Sequence, residues 1–138
     1  MRMRAAVLEE FGQPLEVQEL ELDEPRAGEA LVRLVACGVC HTDLYTASGA
    51  DPSGYAPTVL GHEGAGVVEL AGDGVTSVVA GDHVVTLFSP QCRECIHCRD
   101  ARTNLCLAIR DQQNKGYLPD GTTRLSRDGE PIRHFMGT

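Results

Sequence analysis

Along this chain, short runs of aliphatic residues are interrupted at close intervals by glycine, proline and aspartate. Arg4–Glu9, Leu15–Leu22 and Glu29–Ala36 are rich in valine and leucine and are predicted to be strands. In the third, Leu31, Arg33 and Val35 fall on one face and Val32 and Leu34 on the other. Gly64–Leu70 and His83–Phe88 are two further predicted strands, with a turn at Ala71-Gly72-Asp73-Gly74 after the first. Cys40–Ser48 is the best candidate for a short helix, ended by Gly49. Thr122–Leu125 and Pro131–Phe135 flank Asp128-Gly129, a dipeptide suited to a tight hairpin. Many short strands joined by regular turns predict a mainly β fold, a small barrel with short helices.

From Ser89 to Ile109 the hydrophobic pattern is lost, and cysteines and charges take its place. A lobe over about residues 89–110 must therefore be held by something other than apolar packing. Its cysteines run Cys92-x2-Cys95-x2-Cys98-x7-Cys106. Four thiolates close the tetrahedral shell of a zinc ion and leave no position for substrate, so the expected role is structural. Arg93, Arg99 and Arg102 lie among these ligands and offset the charge of a zinc tetrathiolate. A bacterial ferredoxin cluster shares the C-x2-C-x2-C opening but continues with x3-C-P. Here the last gap is seven and Leu107 follows the cysteine, which favours zinc.

Composition narrows the function. The chain has 138 residues, enough for one domain, with a formal net charge of −8 and no tryptophan. A phosphate backbone would be repelled and stacking platforms are scarce, so nucleic acid is excluded as a partner. No stretch approaches the roughly 20 apolar residues of a membrane helix, and Glu9 and Glu10 interrupt the N-terminal apolar run before it resembles a signal peptide. The expected compartment is the cytoplasm, where clustered cysteines point to metal binding before disulfides.

A second group is chemically suggestive but scattered. Cys37-Gly38-Val39-Cys40-His41-Thr42-Asp43 brings together thiols, imidazole, hydroxyl and carboxylate, and Gly61-His62-Glu63-Gly64-Ala65-Gly66 follows later. A thiolate and an imidazole are suitable ligands for a catalytic zinc that keeps one position open. Spacing alone does not join Cys40 to His62, which are 22 residues apart. Gly64-x-Gly66 is a poor nucleotide fingerprint, because no long helix follows.

The segments CGVCHTD, GHEGAGVVE, AGDHVV and CRECIHCRDARTNLC occur in order and together resemble the signatures of the zinc-containing, medium-chain alcohol dehydrogenases. SGADP, TNLC, IR and PDGT are similar to the class III branch, the S-(hydroxymethyl)glutathione dehydrogenases. The resemblance implies that residues 1–138 are the N-terminal portion of a GroES-like catalytic domain, a partly open β-barrel followed in the family by an NAD-binding Rossmann domain. It implies Cys40 and His62 as catalytic zinc ligands, and Cys92, Cys95, Cys98 and Cys106 as structural ones. Thr42 matches the hydroxyl that takes the proton of the alcohol, and His41 the position that contacts the NAD pyrophosphate. Asp43 matches a carboxylate that orients the ligand histidine, and Glu63 one that approaches the zinc during ligand exchange.

Two departures qualify the match. Tyr45 stands where liver-type enzymes have a histidine that ends the proton relay; class III members also lack that histidine, so the change fits the class III resemblance. Asp51 and Arg110 match the acid and the arginine that hold glutathione, whereas Ser53 stands where a second acid is expected. The implied partners are a small alcohol or aldehyde, with a glutathione adduct as one form, and a homo-oligomeric full enzyme. The third catalytic ligand, a cysteine in the family, is expected beyond Thr138, so the chain is expected to stop before the enzyme is complete and to be inactive alone. From a different class, the alternative is a free-standing, zinc-stabilised β-barrel that serves as a binding or scaffolding module.

Overall fold

A computed structural model describes residues 1–89 and 91–135, with the side chains of Thr103 and Arg110 outside the description. The first strand, β1 (Arg2–Leu8), pairs antiparallel with β2 (Glu16–Leu22) over six registered positions. Alternation decides which side chains turn inward. Ala5 and Val7 from β1 and Leu20 from β2 are buried, while Arg2, Arg4 and Glu19 between them are exposed.

The barrel is completed by β4 (Thr58–Val59), β7 (Leu125–Arg127) and β8 (Glu130–His134), giving the closed order β1-β2-β7-β8-β4. β7 and β8 form the hairpin that the sequence predicts, with Arg127 opposite Glu130 across Asp128-Gly129. Both turn residues have positive φ, 53° and 82°, as a two-residue turn with the strands' own twist requires. β4 pairs antiparallel with β1 and parallel with β8, and this two-residue strand closes the barrel. Ala5, Val7, Leu20, Val59, Leu125 and Ile132 form the core inside it. Fully burying one such aliphatic side chain contributes about 1.5–3 kcal/mol.

Beside the barrel lies an open antiparallel sheet in the order β3-β5-β6, made of β3 (Ala30–Gly38), β5 (Glu63–Ala71) and β6 (His83–Val85). The openness of the fold resides here, since the barrel itself is closed. Gly66 lets β5 approach β3 closely: a Cβ there would lie 2.8 Å from the Val32 side chain. The helix α1 (His41–Ala47) follows β3 directly, and the lobe between β6 and β7 carries α2 (Ile96–Arg99), a 3-10 turn at Thr103–Leu105, and α3 (Leu107–Gln113). α3 and β4 are elements that the hydrophobic pattern does not predict.

Candidate metal centres

The four lobe cysteines are brought together: their sulfurs all lie within 4.8 Å of one another. The Cys92 and Cys98 sulfurs are 4.0 Å apart. A tetrahedron with Zn–S bonds of about 2.3 Å has sulfur–sulfur edges of about 3.8 Å, so the donor set fits one zinc. The backbone wraps the sulfurs with N–H groups. The Cys95 amide donates to Cys92 Sγ at 3.3 Å and the Cys92 amide to Cys106 Sγ at 3.4 Å. Arg93, between Cys92 and Cys95, takes φ 63° to make this wrap, a conformation that costs a non-glycine residue about 1–2 kcal/mol.

These contacts set the acidities. The amides of Leu107 and Cys98 lower the Cys95 thiol to about 6. Partial burial works to raise Cys106, and the amides of Cys92 and Ile109 more than offset it, so its net shift is downward. Partial burial, reinforced by neighbouring sulfurs, pushes Cys98 up to about 11. Four crowded sulfurs cannot all ionise without a compensating cation, which is the electrostatic condition for a thiolate metal site.

The second set is built by β3, α1 and β5. Cys40 caps α1: its amide donates to Asp43 Oδ2 at 3.0 Å and its sulfur accepts from the Thr42 amide at 3.3 Å. Asp43, 5% exposed, also accepts from the Gly61 amide at 3.1 Å and lies 3.3 Å from His62 Nδ1. One buried carboxylate therefore ties the start of α1 to the segment before β5 and lies beside the His62 ring. His62 Nδ1 is buried and has no well-aligned hydrogen bond, while Nε2 lies 3.1 Å from Cys40 Sγ. Cys40, His62 and Glu63 each offer a donor atom within 4.8 Å of the others. The resemblance implies Cys40 and His62 as ligands and Glu63 as a carboxylate that approaches them, and the structure brings all three donors together. Thiolate, imidazole and carboxylate fit a zinc that keeps an open position.

The approach to this set is partly apolar. The rings of Phe88 and Phe135 lie 5.2 and 5.3 Å from the His62 ring, centroid to centroid. Both rings, with Thr42, Asp51, Ser53 and Tyr55, line a cleft of about 290 Å³ that runs toward the lobe. Thr42 is exposed in the first turn of α1 and His41 beside it is exposed. The carboxylate of Asp51 is already engaged. It accepts from Thr46 Oγ1 at 2.9 Å and from the amide and hydroxyl of Ser53 at 2.9 and 2.7 Å. Arg110 lies in α3, and its side chain is outside the described residues. Cys37 is exposed and does not join the metal-type groups, nor do His83 and His97. Phe88, Phe135 and the glycines that flank the ligands escape a reading by residue type, because apolar rings and glycines carry no chemical signal of their own.

A lobe of four converging sulfurs, and an open Cys–His–Glu set on the β3-β5 sheet beside a closed β-barrel, are the features of a metal-binding domain. The chain belongs to the alcohol dehydrogenase GroES-like domain family, whose pattern matches residues 26–125. It is 57% identical over 138 residues to the alcohol dehydrogenase class-3 of Cereibacter sphaeroides, covering 99% of this chain and 37% of that protein. It is also 57% identical to the S-(hydroxymethyl)glutathione dehydrogenase of Paracoccus denitrificans, with the same shares covered. Among solved structures, an alcohol dehydrogenase zinc-binding domain protein from Burkholderia ambifaria superposes with a TM-score of 0.89 at 38% identity, covering 99% of this chain and 37% of that one. The benzyl alcohol dehydrogenase of Acinetobacter calcoaceticus gives 0.85 at 32% identity, covering 100% of this chain and 36% of that one. The chain thus spans a little over a third of the length of these relatives.

Proposed function

We propose that this chain is the metal-binding portion of a zinc-dependent alcohol dehydrogenase that oxidises an alcohol to an aldehyde with NAD as acceptor. The observation that carries this reading is the pairing of a closed four-sulfur set in the lobe with an open Cys40–His62–Glu63 set beside the cleft. When bound, zinc would polarise the alcohol oxygen and NAD would accept the hydride. Cys40 and His62 would hold the zinc at the open set, with Glu63 as the exchangeable donor. The lobe sulfurs would hold a second, structural zinc. The Thr42 hydroxyl takes the substrate proton and passes it toward solvent, and Asp43 keeps the His62 ring in its ligating orientation. His41 meets the cofactor pyrophosphate, while Phe88 and Phe135 keep water from the inner side of the histidine.

The finer reading is an S-(hydroxymethyl)glutathione dehydrogenase of class III. It is supported by the 57% identity to the Paracoccus denitrificans protein and by Asp51 and Arg110 at the glutathione positions. Ser53, in place of a second acid, weakens the hold on the glutathione part. We place the full enzyme in the cytoplasm as a homo-oligomer. The test uses a protein in which this chain is continued as in its relatives. NAD-dependent oxidation of simple alcohols and of formaldehyde is measured with and without glutathione. Stimulation by glutathione supports the class III reading, and equal rates point to a general alcohol dehydrogenase. No oxidation with both zincs bound would favour a binding or scaffolding module, a reading consistent with the barrel's closed core.

A further inference from the structure

We propose that Gly38 is the residue that positions the Glu63 carboxylate at the Cys40–His62 site, a role that rests on the metal reading above. Gly38 ends β3 and stands directly opposite Glu63, the first residue of β5. A Cβ placed on Gly38 would overlap Glu63 Oε2 and would lie 3.2 Å from Glu63 Cβ and 3.3 Å from its Cδ. The carboxylate therefore occupies the volume that a side chain at position 38 would fill. Directly opposed residues on one face of an antiparallel pair compete for the same space, with Cβ atoms about 4.5–5.5 Å apart. With no side chain at 38, Glu63 folds back across the end of β3 toward Cys40, two residues further along. There its carboxylate comes within 4.8 Å of the Cys40 sulfur and a His62 ring nitrogen.

The backbone does not demand glycine here, because Gly38 is not among the glycines with positive φ. Its absence of a side chain serves a neighbour and not its own conformation. An added methyl would overlap only the end of a flexible, exposed glutamate, which can swing into water, while its 3.2 Å approach to Glu63 Cβ asks the strand ends to give by a few tenths of an ångström. Gly66, on the same pair of strands, is the contrasting case: a Cβ there would collide with the Arg33 backbone, which cannot move aside. Position 38 therefore separates the geometry of the donor set from the stability of the fold. Gly38→Ala should leave the sheet intact and move the third donor out of reach.

Cobalt(II) uptake by the 138-residue chain tests this, after the lobe has been filled with one equivalent of zinc. The probe is the thiolate-to-cobalt absorption from Cys40. Gly38→Ala is expected to weaken cobalt binding about 10–100-fold, the usual range for losing a group that orients a ligand. Glu63→Gln should weaken it comparably, and the Gly38→Ala/Glu63→Gln pair should be no weaker than Glu63→Gln alone, since both act through one carboxylate. Far-UV circular dichroism and the lobe zinc should be unchanged in Gly38→Ala. Wild-type affinity in Gly38→Ala, or an undiminished effect of that substitution in the Glu63→Gln background, overturns the positioning role. Cys40→Ala should abolish the absorption. If the absorption persists there, or if the wild-type chain takes up no cobalt, the metal reading of the site fails whatever Gly38 does.

Discussion

Arg124 Nε donates to Glu29 Oε2 at 3.0 Å, joining the residue before β7 to the residue before β3. The same guanidinium donates to Asp120 Oδ2 at 2.6 Å. This partly buried ion pair links the closed barrel to the open sheet that carries the Cys–His–Glu set. Burial works to raise the Glu29 carboxyl, and hydrogen bonds from Arg124 and the Arg26 amide more than offset it, so it stays ionised below the usual range. Arg124, acting first through its hydrogen bond, holds Asp120 well below that range too.

Arg124→Ala should therefore destabilise the fold by about 1–3 kcal/mol, the range for leaving partly buried polar groups without their partner, because Glu29 and Asp120 keep access to water. Glu29→Gln should cost less, since Asp120 still engages the arginine. Urea titration of the zinc-loaded chain measures both, and a loss under 1 kcal/mol for Arg124→Ala would show that the link is dispensable.

His134 makes stability depend on pH. Burial first, and the nearby Arg124 charge second, push its imidazole down to about 4. The unfolded histidine titrates near about 6.5, so between these values the unfolded chain binds more protons and stability rises with pH. The contribution is complete above about pH 6.5 and is lost as pH falls through about 4, by up to about 3 kcal/mol. Urea midpoints measured from pH 7.5 to 4.5 should fall less steeply for His134→Asn than for the wild-type chain. Parallel slopes would remove His134 from the account.

The two metal sets should differ in grip. Mild chelation should leave one zinc, held by the four sulfurs, and strip the open set, as elemental analysis will read. Cys98→Ser should release the tight zinc and unfold the lobe, because binding and folding are coupled there. Cys37→Ser should keep it, since Cys37 lies outside both donor sets. Iron with sulfide in place of zinc would contradict the assignment.

Chemistry and stability separate at Thr42. In a protein continued as in its relatives, Thr42→Val should retain both zincs and lose about 10²–10⁴-fold in turnover, the range for a lost proton-transfer group. Thr42→Ser should stay close to wild type. Cys40→Ala and His62→Ala should abolish oxidation while the lobe zinc remains. A fully active Thr42→Val would take the proton path away from this hydroxyl.

What the sequence determined by itself is what local chemistry dictates. The lobe cysteines lie within fifteen residues, so spacing alone predicts that their sulfurs converge. Valine- and leucine-rich runs mark β1, β2 and β3, and Asp128-Gly129 marks the hairpin, because each depends only on neighbours along the chain. The GroES-like family was legible too, through four motifs in order.

Only tertiary structure decided what depends on distant residues meeting. Cys40 reaches His62 because β3 and β5 pair in one register, with Gly38 opposite Glu63. A one-residue slip would turn the glutamate to the other face, and no local pattern records that register. β4 is two residues long and carries too little pattern to be read, yet it closes the barrel by pairing with β1 and β8. Glu29 and Arg124 are 95 residues apart, and each alone reads as an ordinary surface charge. Their pairing exists only where the folded chain brings them together and buries the arginine, which is a property of the whole fold and of no segment of it.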